Sequence, residues 1–166
     1  MIPQSSCKTL SVIDGEWKVI FEDPFHDKFI STFSSLHSWA EDSNSSIRFH
    51  SGSAVYTQRI AVPAHVGKVF LDLGDVRNIA EIFIDGQEVC TLWKRPFEAD
   101  ITDHVNGKSE VELSIKVTNL WVNRLIGDSA KESSERKSYT SKAFYKPDDP
   151  LLPSGLLGPV RLVEEF

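Results

Sequence analysis

Two short clusters in this 166-residue chain join aromatic rings to polar and charged side chains, a combination suited to holding a sugar. The first is Trp93-Lys94-Arg95; the second is Trp121 with Asn123, Arg124 and Asp128. Tyr139 and Tyr145, with Lys142 between them, offer a further wall. A pyranose presents apolar C–H faces that stack on a ring, and a rim of hydroxyls that need fixed donors and acceptors. The competing reading is that Trp93 and Trp121 anchor a core or a loop, since tryptophan is highly buried on average and its N–H then bonds internally. Leu120, Val122, Leu125 and Ile126 around Trp121 favour anchoring there, whereas for Trp93 the two readings stand level. Trp17 and Trp39 read as core and loop-packing residues.

Other chemistries are less well served. Hydrolysis of a glycosidic bond needs two carboxylates facing each other, roughly 5–9 Å apart. Asp72, Asp75, Asp100, Asp103 and Asp128 are available, but Asp72, Asp75 and Asp103 fall at strand ends or turns, where acids serve as turn formers. Ser154-Gly155 lacks the Gly-x-Ser-x-Gly elbow of a nucleophilic serine. His26, His37, His50, His65 and His104 are scattered, and none is spaced as a metal ligand with a cysteine or another histidine. Calcium accepts carboxylate and carbonyl oxygens, and Asp72 and Asp75 flank Gly74, yet no calcium-loop pattern surrounds them. A structural calcium therefore stays open, and no other cofactor is expected. Cys7 and Cys90 read as free thiols, and Asn44-Ser45-Ser46 fits a glycosylation acceptor.

Composition narrows the partners. The chain carries 24 acidic and 18 basic residues for a formal net charge of −6, with no basic cluster that would hold a nucleic acid. Hydrophobic content of 40% and charged content of 25% describe a soluble globular protein. No apolar run approaches the roughly 18 residues of a membrane span. The segment Met1 to Leu10 has no signal-peptide core, so the chain is either cytoplasmic or cut from a longer secreted protein. The length fits one domain over 1–166.

The elements that must position these residues read as strands and turns. From Ser109 to Thr118 the chain alternates, with Val111, Leu113, Ile115 and Val117 on one face and Glu110, Glu112, Ser114, Lys116 and Thr118 on the other. That is the period of a half-buried strand. Further strands are predicted over 16–22, 53–62, 69–73, 79–84, 87–92, 97–101 and 158–163. Asp85-Gly86 between apolar runs predicts a type I′ hairpin that sets Ile82 opposite Val89, with Ala80 and Ile84 in the core and Phe83 and Cys90 on the other face. Helical signals are weak: one turn within 36–42, and a compatible composition without an apolar stripe over 131–137. Residues 1–14 read as an extended segment. Residues 119–156 read as a long functional or docking loop, since connections of that length in a compact domain are usually functional or disordered. Because Trp93 and Trp121 each follow a strand, both clusters are expected at one end of an antiparallel all-β sandwich.

A family resemblance sharpens this. The segments Val69 to Val76, Ala80 to Gly86 and Pro96 to Thr102, closed by Ser154 to Leu162, resemble the sugar-binding β-sandwich of glycoside hydrolase family 2. Leu120 to Asp128 and Leu151 to Leu162 look closer still to the C-terminal sandwich of large bacterial glycosidases of family 106, the α-L-rhamnosidases and their relatives. The resemblance spans roughly residues 47–163. Two positions depart from its pattern: Asp85 stands for the usual hairpin asparagine, and Cys90 for a frequent glycine.

What the resemblance implies is a galactose-binding-domain-like jelly roll, and a non-catalytic accessory domain whose parent carries its catalytic acids on a separate barrel. Its partners would be a carbohydrate or the parent's catalytic domain, and that parent would be secreted or periplasmic. In the docking variant, Arg124 pairs with a carboxylate of the neighbouring domain and Leu125 and Ile126 bury apolar area against it. A stand-alone lectin is the alternative.

Overall fold

The computed structural model of the protein describes residues 6–23 and 28–166. His26 and the first five residues of the expected N-terminal segment lie outside them. Twelve strands are present among the described residues: β1 (Cys7–Val12), β2 (Trp17–Glu22), β3 (Phe29–Phe33), β4 (Ser53–Ala61), β5 (Lys68–Asp72), β6 (Asp75–Arg77), β7 (Ile79–Ile84), β8 (Gln87–Leu92), β9 (Glu98–Asp100), β10 (Glu110–Thr118), β11 (Gly155–Gly158) and β12 (Arg161–Glu165). Three short helices join them: α1 (Ser45–Arg48), α2 (Thr102–Val105) and α3 (Val122–Ser129).

The strands form an antiparallel sandwich. One sheet has six strands in the order β3-β2-β4-β10-β7-β8, and the other four in the order β1-β12-β5-β9. β6 and β11 pair separately. Strand β10 is the spine of the larger sheet. It pairs with β4 along its whole length, from Glu110 opposite Ala61 to Thr118 opposite Ser53, and with β7 from Leu113 onward. Val111, Leu113, Ile115 and Val117 are fully buried, as the alternation predicts, and face Val69, Leu71 and Leu162 in the core between the sheets. The opposite face of β10 is polar: Ser114 bonds Thr57, Thr118 bonds Ser53, and Lys116 lies 3.7 Å from Glu22.

The Asp85-Gly86 turn forms, with φ of 50° and 78° at its two residues, as type I′ requires. Its register differs from expectation. Ile84 pairs with Gln87 and Phe83 with Glu88, but Ile82 then pairs with Cys90, because a bulge takes up Val89. The extra residue brings Cys90 to the core side, where it packs against buried residues, and Phe83 remains half-buried. Cys7 and Cys90 are free thiols.

The expected long loop contains more structure than its sequence suggests. Residues 119–156 hold α3, a 3₁₀ turn at Ser133–Glu135 and the start of β11. Helix α3 is hard to read because its inward face is largely polar: Asn123, Arg124, Gly127 and Asp128 are buried beside Ile126, while Val122 and Leu125 are only half-buried. The weak helical signals at 36–42 and 131–137 become 3₁₀ turns at Trp39–Glu41 and Ser133–Glu135.

One buried polar knot ties the layers together at this end. The Tyr56 hydroxyl on β4 accepts from Trp39 Nε1 at 2.5 Å and from the backbone N–H of Leu156 on β11 at 3.2 Å. Burial raises the Tyr56 phenol well above its ordinary pKa, so it stays protonated. Gly155 passes so close to the Trp39 ring that an added Cβ would lie 2.5 Å from Nε1, and its φ of +97° disfavours any other residue. Replacing Tyr56 with Phe leaves two buried donors without an acceptor. Each such orphan costs about 1–3 kcal/mol, so Tyr56→Phe is expected to lower the unfolding free energy by roughly 2–6 kcal/mol, read as a reduced urea midpoint at unchanged slope.

Candidate functional site

Both aromatic clusters leave the larger sheet at one end. In the register of β7, Ala80 pairs with Leu92 on one side and with Val117 on the other. The exits of β8 and β10 are therefore two strand spacings apart, about 10 Å. The stretch from Trp93 to Pro96 projects between half-buried Leu92 and buried Phe97, whose carbonyl accepts from Leu73 N at 2.9 Å. Trp93 is 70% exposed, and Lys94 lies over its ring, 5.5 Å from the centroid. Arg95 is exposed and donates to Asp75 at 2.6 Å.

The second cluster divides. Trp121, at the start of α3, is 45% exposed, and Leu120 beside it is 52% exposed, so neither is buried as their apolar neighbours suggested. Asn123, Arg124 and Asp128 are buried and bond within the chain. Asn123 donates to the Leu152 carbonyl at 2.7 Å and accepts from Leu152 N at 2.8 Å, fixing the approach to β11. Arg124 donates to Asp23, at the end of β2, at 3.0 Å, with both side chains about 5% exposed or less. The partner carboxylate envisaged on another domain is thus supplied by this chain. Ile126 is buried and Leu125 half-buried within it.

Asp128 organises the segment that follows. Its carboxylate accepts from the backbone N–H groups of Lys137 and Ser138 at 3.0 and 2.8 Å, and from the Ser138 hydroxyl at 2.7 Å. Burial pushes the Asp128 carboxyl up, but Ser138 and Lys131 outweigh it and hold it below the ordinary carboxylate value. Beyond that anchor Tyr139 is 92% exposed, Lys142 is exposed and Tyr145 is half-buried.

Sequence reasoning passed over two residues that build this end. Asn119, directly after β10, accepts from Gly52 N at 3.0 Å and donates to the His50 carbonyl at 2.8 Å. Arg77, on β6, donates to Asp75 at 2.9 Å. The signal for Asn119 was its place immediately after the clearest strand; β6 is too short to show a period. Between them lies a shallow cleft of about 110 Å³, lined by Arg77, Asn78, Asn119, Leu120, Leu152 and Ser154. Pockets that envelop a ligand are larger, about 300–1,000 Å³.

His50 underlies α3. It is fully buried, edge-on to Phe21 and Trp39, with Nε2 3.2 Å from the Ser53 carbonyl. Burial lowers its pKa to about 4, the Ser53 bond opposing and Arg124 adding to the effect. Among the described residues no group of three or more His, Cys, Asp or Glu could hold a metal ion, and no helix is long and apolar enough to cross a membrane.

Known proteins resemble this chain in part. No family model matches it. A Formosa agariphila protein named "Putative beta-glucuronidase" is 35% identical over 91% of the chain, which spans 15% of that protein. A solved structure of a rhamnosidase from Novosphingobium sp. PP1Y superposes with a TM-score of 0.90 at 33% identity, over 99% of this chain and 16% of that one. A beta-D-glucuronidase from Dictyoglomus thermophilum shares the fold, with a TM-score of 0.63 at 21% identity over 96% of this chain and 28% of that one. These relatives are glycoside hydrolases, and the chain corresponds to a small part of each.

Two outcomes are expected of the groups beneath α3. Between pH 6.5 and 4 the unfolded chain takes up a proton at His50 that the folded chain refuses, so stability is full above that window and falls by about 3 kcal/mol across it. Urea titrations at several pH values should show this slope, and His50→Phe should flatten it. Arg124→Ala removes the nearer cation from the buried Asp23 carboxylate, leaving Lys137 Nζ 3.9 Å away, and should lower the unfolding free energy by about 3 kcal/mol.

Proposed function

We propose that this chain is a non-catalytic β-sandwich domain of a larger, rhamnosidase-like glycoside hydrolase, of the galactose-binding-like kind. In this reading it serves carbohydrate recognition or supports the catalytic domain. One observation carries the proposal: 99% of this chain superposes, at 33% identity, on only 16% of a rhamnosidase. The acids support the same reading, because most have structural partners. Asp72 is paired with Arg161, Asp75 with Arg77 and Arg95, Asp100 with Thr102, and Asp128 with Ser138. A carboxylate held by an internal cation or hydroxyl is poorly placed to attack or protonate a glycosidic oxygen.

A specific feature also favours docking. Leu120, Trp121 and Leu152 are each more than 40% exposed near one end of the sandwich, and Ile79, opposite Thr118, is 39% exposed. An exposed apolar surface of this kind suits a neighbouring domain of the same enzyme.

The purified chain, assayed with 4-nitrophenyl α-L-rhamnoside and β-D-glucuronide, is expected to release no nitrophenol above the buffer rate. The reading frame that encodes it is expected to encode a separate catalytic barrel as well. Turnover by the chain itself would overturn the non-catalytic role. A frame encoding these residues alone would replace the accessory role with that of a stand-alone lectin.

A further inference from the structure

At the end of the sandwich from which β8 and β10 emerge stand three cations, Arg77, Lys94 and Arg95, in a chain whose formal net charge is −6. Arg77 and Arg95 share a single carboxylate: Asp75 Oδ2 lies 2.9 Å from Arg77 Nη2, and Asp75 Oδ1 lies 2.6 Å from Arg95 Nη2. Lys94 adds a third cation next to Arg95. Among these four side chains the one carboxylate of Asp75 answers Arg77 and Arg95 together, and Lys94 is paired with no carboxylate in these bonds. Arg77 Nε has no hydrogen-bond partner among the described residues. Arg77 also lines the 110 Å³ cleft, where Asn78 and Ser154 add polar groups and Leu120 and Leu152 apolar walls.

Two exposed tryptophans flank this strip. Trp93 directly follows one strand exit and Trp121 begins α3 beyond the other, the exits being about 10 Å apart. Rings exposed at 70% and 45% can each meet the C–H face of a pyranose. The cleft is far smaller than the roughly 300 Å³ that enclose a whole ligand, but it accommodates a group the size of a carboxylate. A guanidinium matches a carboxylate in plane and charge, and holds it better than it holds a neutral hydroxyl. A neutral sugar would stack equally well on the rings and bring no anion to these cations.

We infer that the strip formed by Trp93, Lys94, Arg95 and Arg77, with Trp121 beyond the cleft, binds an acidic saccharide, a chain bearing uronate carboxylates. The ring of one sugar stacks on the face of Trp93 opposite Lys94 while a carboxylate meets Arg95 or enters the cleft at Arg77. The inference rests on the reading of this chain as a domain of a glycoside hydrolase, and it names the class of saccharide.

Isothermal titration calorimetry on the whole chain tests it. The probes are tetramers of galacturonate and of glucuronate, each beside its carboxyl-reduced neutral counterpart. At least one uronate tetramer is expected to bind about tenfold more tightly than its reduced form, as a charge-assisted bond implies. Arg95→Gln and Trp93→Ala alter exposed side chains, so each should keep the melting temperature and weaken that binding about tenfold. Equal affinity for the acidic and reduced forms overturns the inference and leaves saccharide recognition standing. Binding by neither uronate tetramer also overturns it and leaves the accessory-domain reading to the turnover and reading-frame results.

Discussion

The buried pair of Arg124 and Asp23 is the constraint on which this end of the molecule depends. It joins Asp23, directly after β2, to the first turn of α3, across about a hundred residues of chain, with both side chains hidden from solvent. Removing either partner would leave a buried charge without its nearest counter-ion, Lys137 standing 3.9 Å from Asp23, a larger penalty than the pair's net gain. The pair therefore acts less as glue than as a selector of position. Helix α3 has one depth and one rotation at which Arg124 meets Asp23, and Asn123 and Asp128 on the same helix then meet Leu152 and Ser138. Close packing enforces the same placement: a Cβ on Gly127 would lie 2.6 Å from the Phe49 ring.

That fixed helix divides the labour among residues that look alike in sequence. Asn123, Arg124 and Asp128 have the chemistry of ligand contacts but are spent on holding the chain. The neighbouring Trp121 and Leu120 are turned outward. At the β8 exit the division is reversed, since Trp93, Lys94 and Arg95 are all exposed and buried Phe97 does the anchoring. Asp75 connects the two regions by holding Arg95 from one and Arg77 from the cleft beside the other.

Legibility followed the distribution of burial. Strand β10 could be read residue by residue because one face is dry and the other wet along its whole length. The Asp85-Gly86 turn was equally plain, since positive φ at two successive positions leaves few alternatives. The bulge at Val89 was not, because an inserted residue leaves composition and turn chemistry unchanged while shifting every partner beyond it. Strand β1 is an edge strand of mostly exposed Cys7, Lys8 and Thr9, so nothing in its sequence alternates. Helix α3 hid because its inward side is polar, and apolar periodicity is the signal by which helices are found. The candidate site was legible to a similar extent: the sequence placed both clusters at one end of the sandwich, where the structure has them, but which side chains point outward depends on the rotation of one helix.

The bulge has an effect beyond register. Strand β8 is the outermost ribbon of the six-stranded sheet, and an outermost ribbon offers a row of unmatched amide groups to any passing chain. An inserted residue twists that border and interrupts its repeat, and Gln87 and Glu88 put polar groups along it. The irregularity that defeats the simple hairpin prediction thus discourages identical molecules from zipping together side by side.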